Sequence, residues 1–295
     1  MVPAMARFLC LTTIVLVICF VVKTRQGEWG GGGMLELDDR SHRLPFDTVG
    51  VNAFAVPLAL LLGWMFKGVW AVIGFFLFRT PVHELGHSIL AWLRGCWSFP
   101  FPWAFSFYDP EPSMLVTAIV GLSIGYGLWQ AWAERAHSAL ALFSALAAGW
   151  VCCAFVLTKA QWEPLFIYAG CAGEIVLSTL VILAFYHRLP GLRWDFLRYP
   201  LMAAAAFTLA GAVSYWASVQ PDPETMILWG DKLSQSRDHE NDFVRLVQDW
   251  RWTPRQLADR SLLLGKVCLG MVLAYYARFL WVAFSRKPDD SGAAA

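Results

Sequence analysis

Apolar runs of membrane length constrain this chain more than any other feature. Residues 7–22, 114–131, 138–158, 164–186, 199–219 and 262–284 carry almost no charge, and each is near the length a helix needs to cross about 30 Å of hydrocarbon. Backbone groups in lipid must pair within their own segment, so such runs fold as helices. The chain reads as an all-α polytopic membrane protein with about six to eight transmembrane or re-entrant helices. Residues 49–78 are also apolar, but they are too long for one simple crossing and are interrupted by Lys67. They read as a re-entrant or broken segment leading into a helix over 79–95. Composition agrees: of 295 residues, 58% are hydrophobic and 15% charged, which excludes an ordinary soluble domain and makes the lipid bilayer the expected surroundings. A net charge of +1 without a basic stripe gives no reason to expect a nucleic-acid partner.

The chain divides into four parts. Residues 1–33 form a signal-anchor helix and a glycine-rich joint, "GEWGGGG"; no small-residue cleavage site follows the first apolar run. Residues 34–219 form the membrane core, 220–261 a polar extramembrane loop, and 262–295 the last transmembrane helix with a disordered tail. Within the loop, "ENDFVRLVQDW" has the pattern of a short amphipathic helix. Arginines at 188, 193 and 198 and the basic tail mark the cytoplasmic side. The aromatic connection 96–113, which has no Lys or Arg, and the polar loop then share the other side. The seven cysteines, nearly all inside apolar runs, read as small packing residues. "GLSIG" (121–125) has the spacing of a serine-hydrolase elbow but lies in a continuous apolar helix, so its glycines read as helix-packing positions.

Against that background, "RTPVHELGHSILAWLRG" (79–95) puts two histidines and a glutamate among apolar residues. Ionisable groups inside a membrane are costly and are functional by default. Residues four apart on a helix share a face, so His83 and His87 aim at one point and form a two-nitrogen platform for Zn²⁺. Glu84 stands where the H-E-x-x-H pattern puts a general base. A catalytic zinc takes a third protein ligand, and Glu174, alone in its apolar run, is the first candidate. If 114–131 and 138–158 each cross once, His87 and Glu174 lie about 12 and 15 Å from the same face. The other reading of Glu174 is pairing with an intramembrane base such as Lys266. Asp238, His239 and Asp242, in the loop that returns to that face, are alternative ligands or polar lining.

His83, Glu84, Leu85, Gly86 and His87, followed by Ala91 and Gly95, resemble the H-E-L-G-H-x-x-x-A-x-x-x-G pattern of the site-2-protease-like (M50 class) intramembrane metallopeptidases. The resemblance covers about 13 residues and the multi-helix setting. It implies a zinc-dependent endopeptidase acting on a membrane protein or peptide in a multi-pass membrane setting, such as a bacterial plasma (inner) membrane. His83 and His87 would be ligands and Glu84 the base. That class takes its third ligand from an Asp in an N-P-x-x-x-L-D-G-like motif, which this sequence lacks; a Glu from a later helix is instead similar to the gluzincins, including the M48 membrane proteases. The class also holds substrate extended along a strand after the motif helix, a role open to Trp103, Phe105 and Phe107 in "WAFSFY". The alternative of another class is a membrane metal-binding protein, a transporter or assembly factor, that performs no hydrolysis.

Overall fold

A helix that must come close to its neighbour needs residues without side chains on the contact face, and the motif helix has Gly86 there. The computed structural model describes residues 48–69, 78–101, 105–133, 135, 137–186, 194–223 and 242–285. Its elements are α1 (Val49–Met65), α2 (Thr80–Arg94), β1 (Cys96–Phe101), β2 (Phe105–Pro112), α3 (Met114–Ala133), α4 (His137–Val151), α5 (Lys159–Ala184), α6 (Trp194–Val219), α7 (Asp242–Gln248) and α8 (Pro254–Ser285). The signal-anchor run, the glycine-rich joint and the tail lie outside the described residues.

The protein is mostly helical, and four helices are long and apolar enough to cross a membrane: Met114–Ala133, Lys159–Ala184, Leu197–Val219 and Pro254–Ser285. Two shorter apolar helices, Val49–Met65 and Leu142–Val156, accompany them among the described residues, and the count of six to eight transmembrane or re-entrant helices is not confirmed. The run 138–158 is broken, because α4 passes into a widened π-helical turn, Cys152–Val156, and Leu157 is extended. Arg94 closes that end by donating to the carbonyls of Cys153, at 2.7 Å, and Leu157. A capping box then starts α5, with Thr158 and Gln161 satisfying each other's backbone N–H groups. A second one, Thr253 with Gln256, starts α8 at Pro254, inside the segment expected to be loop.

The expectation of an all-α chain is corrected by a hairpin. After Gly95, which ends α2 with a left-handed φ of 88°, β1 and β2 pair antiparallel with Phe99 opposite Phe107 and Phe101 opposite Phe105. An apolar, proline-rich connection has few polar side chains to satisfy its backbone, so the two arms satisfy each other. The hairpin is pinned to α2: Trp92 Nε1 donates to the Ser98 carbonyl at 2.9 Å, and Ser98 Oγ donates to Ser88 Oγ at 2.8 Å.

Helix α5 is the centre of the molecule. In its most apolar window 78% of residues are buried, against 22% for α3, whose Met114, Leu122, Trp129 and Trp132 point outward as lipid-facing residues do. α2 lies antiparallel against α5, and the two backbones nearly touch. A Cβ on Gly86 would collide with the Ala169 carbonyl and come within 3.0 Å of Gly173 Cα. Gly121 and Gly127 of α3 make similar room for Trp150 and Phe143 of α4, whereas Gly125 faces open space. Gly86→Val is therefore expected to lower stability by about 1–3 kcal/mol through overpacking, and Gly125→Ala to leave it unchanged. Thermal unfolding of the two variants in the same detergent checks this.

Candidate metal centre

Two antiparallel rows of residues at four-residue spacing build the centre. On α2 and the residue before it the row is Arg79, His83, His87; on α5 it is Phe166, Gly170, Glu174. The spacing keeps each row on one helix face, and the antiparallel contact sets Arg79 and His83 against Glu174, and His87 against Phe166. Arg79 Nε donates to Glu174 Oε2 at 2.7 Å. His83 Nδ1 lies 2.9 Å from Glu174 Oε1, and His87 Nδ1 lies 2.8 Å from the Phe166 carbonyl oxygen.

These partners assign the tautomers. A carbonyl and a carboxylate oxygen can only accept, so both Nδ1 atoms carry a proton, and in the neutral rings both Nε2 atoms then present lone pairs. The two Nε2 atoms stand 3.2 Å apart, and Asp242 Oδ2 is 3.1 Å from each. With neutral imidazoles, three acceptors thus face one another without a donor, which only a cation, a metal ion or a proton, can satisfy. These three side chains form a group that can hold a metal ion. Two further observations fit a metal. In a tetrahedron with bonds of about 2.0–2.1 Å the ligand atoms are about 3.3 Å apart, close to the spacing here. Gly170 sits opposite the two Nε2 atoms, where a Cβ would crowd both and lie 2.7 Å from His83 Cε1. The missing side chain leaves the point clear.

Asp242 reaches the centre at the first residue of α7. That short helix is fastened to the membrane core by the buried Leu246 and by Phe243, whose ring lies 5.2 Å from that of Trp216. Beyond α7, Trp252 N–H donates to the Leu246 carbonyl at 3.0 Å, and the Trp252 ring lies 5.6 Å from Tyr168. Glu84 follows His83 on α2 and is buried. The hairpin reaches the site through aromatic contacts: Tyr108 lies 4.3 Å from Phe166, and Phe166 lies 5.1 Å from His87.

Of the residues expected from sequence, the structure brings together His83, His87 and Asp242, with Glu174 behind His83 rather than beside His87. Glu174 pairs with Arg79, not Lys266. Asp238, His239 and Trp103 lie outside the described residues, and Phe105 and Phe107 are on β2. Sequence reasoning passed over Arg79 and Gly170. The signal was the doubled four-residue spacing, R-x-x-x-H-x-x-x-H facing F-x-x-x-G-x-x-x-E. Thr80 is the first helical residue of α2.

No protein-family model, curated protein or solved structure matches this chain. If the group holds a metal ion, Gly170→Ala is expected to lose it while the protein stays folded. Metal analysis beside circular dichroism of the purified variant checks this.

Proposed function

We propose that the protein is a membrane-embedded zinc endopeptidase that hydrolyses a peptide bond of a membrane-associated protein or peptide, in a bacterial plasma membrane. The observation that carries the reading is the convergence of two Nε2 lone pairs and one carboxylate oxygen on a single point of an H-E-x-x-H helix. Three protein donors leave room in a four-coordinate site for water or substrate, the pattern of catalytic rather than structural zinc. An Asp as third donor also agrees with the resemblance to the site-2-protease-like class better than a Glu would.

His83, His87 and Asp242 would hold the ion, which when bound supplies Lewis acidity and activates water near neutral pH. Glu84 takes the proton from the attacking water and returns it to the departing amine nitrogen. Burial of Glu84 and His87 limits the access of bulk water. The hairpin, close to the Tyr108–Phe166–His87 contacts, offers a strand edge to an extended substrate.

The alternative, a metal carrier or assembly factor, needs the donors but not the base. Glu84→Gln separates the two. It is expected to keep one zinc per chain and to lose cleavage of membrane-peptide substrates in proteoliposomes by about 10²–10⁴-fold. Undiminished cleavage in that variant excludes Glu84 as the base. If the wild type binds zinc stoichiometrically but cleaves nothing in a broad panel of membrane peptides, the carrier reading takes its place.

A further inference from the structure

We infer that Glu174, anchored by Arg79, is a positioning residue of the metal centre: it fixes the tautomer and orientation of His83 and is not itself a ligand. The inference rests on the metal-site reading above and deepens it. Both carboxylate oxygens of Glu174 are already engaged, Oε1 by His83 Nδ1 at 2.9 Å and Oε2 by Arg79 Nε at 2.7 Å. The donor group of His83, His87 and Asp242 is complete without it. Only 7% of the Glu174 side chain is exposed, so little water competes for either oxygen.

The two imidazoles are therefore backed unequally. His87 leans on a neutral backbone carbonyl, whereas His83 leans on a carboxylate. A carboxylate behind a metal-binding imidazole holds the ring in place and strengthens Nε2 as a donor. His83 needs that support more than His87 does, because its side chain is 23% exposed against 8%. Arg79 supplies the counter-charge without which a buried carboxylate in apolar surroundings is strongly unfavourable. Arg79 and His83, four residues apart on one helix face, thus grip the same carboxylate from the neighbouring helix. The ring of His83 is tied to α5 through the Glu174 side chain, as the ring of His87 is through the Phe166 carbonyl.

The test uses the full-length protein in detergent, with Zn²⁺ and Co²⁺ as probes. Zinc affinity is measured by competition with a chromogenic chelator, and the ligand set is read from the Co²⁺ absorption spectrum. Glu174→Gln is expected to weaken zinc binding about 10–100-fold, with one ion per chain at saturation and an unchanged Co²⁺ spectrum. Asp242→Ala, which removes a donor, is expected to change the spectrum. Should the Gln variant fail to fold, Glu174→Asp keeps the charge but is one methylene too short, and the same loss is expected. Unchanged affinity in the folded variant overturns the positioning role and leaves the metal site standing. A Co²⁺ spectrum altered in Glu174→Gln as it is in Asp242→Ala makes Glu174 a ligand and also overturns it. Absence of stoichiometric metal from wild type overturns the underlying reading together with the inference.

Discussion

The contact between α2 and α5 is a contact of backbones, made where Gly86 meets Ala169 and Gly173, and the centre depends on it. Only at that separation can a histidine ring on α2 reach a main-chain oxygen on α5, as His87 does at Phe166. The same closeness puts Gly170 directly against the two Nε2 atoms. Apolar burial gives little driving force between helices in lipid, so close packing of small residues does much of the work of holding them together. In this protein the small residues set both the strength of the helix contact and the geometry of the site.

Electrostatics then selects what the site can hold. Arg79 and Glu174 offset each other, so with neutral imidazoles the hydrogen-bonded group carries the negative charge of Asp242. A cation at the point of convergence meets two imidazole lone pairs and one anionic oxygen. Each remaining hydrogen-bonding atom of the histidines is already committed, which is how a polar cluster persists in apolar surroundings. Glu84, next to His83 in the chain and buried, is not one of the three residues of this group.

Much of the centre was legible in the sequence, because a helix converts spacing into direction: His83 and His87 had to share a face, and counting residues along the apolar runs put Glu174 at their level. What the count did not fix was which acid plays which part. Glu174 and Asp242 both arrive near the histidines, and the choice between ligand and support depends on which ring nitrogen each one meets. That is a matter of ångströms, not of periodicity. Arg79 stood at the edge of the quoted motif, but its partner lies 95 residues away, beyond any local pattern. The fold departed from expectation at local chemistry rather than at hydropathy: two capping boxes moved helix starts, a π-helical turn cut α4 short, and a connection poor in polar side chains closed on itself as a hairpin.

Asp242 reaches His83 across 159 residues of chain, and His87 across 155, a separation with a consequence for how the molecule is made. A ribosome delivers α2 and α5 first, and those two helices already contain everything that aims the histidines. The third donor emerges only after α6 has been synthesised and the chain has turned back toward the histidines. The nascent protein therefore passes through a stage with a paired but incomplete nitrogen platform, and Asp242 closes the site late.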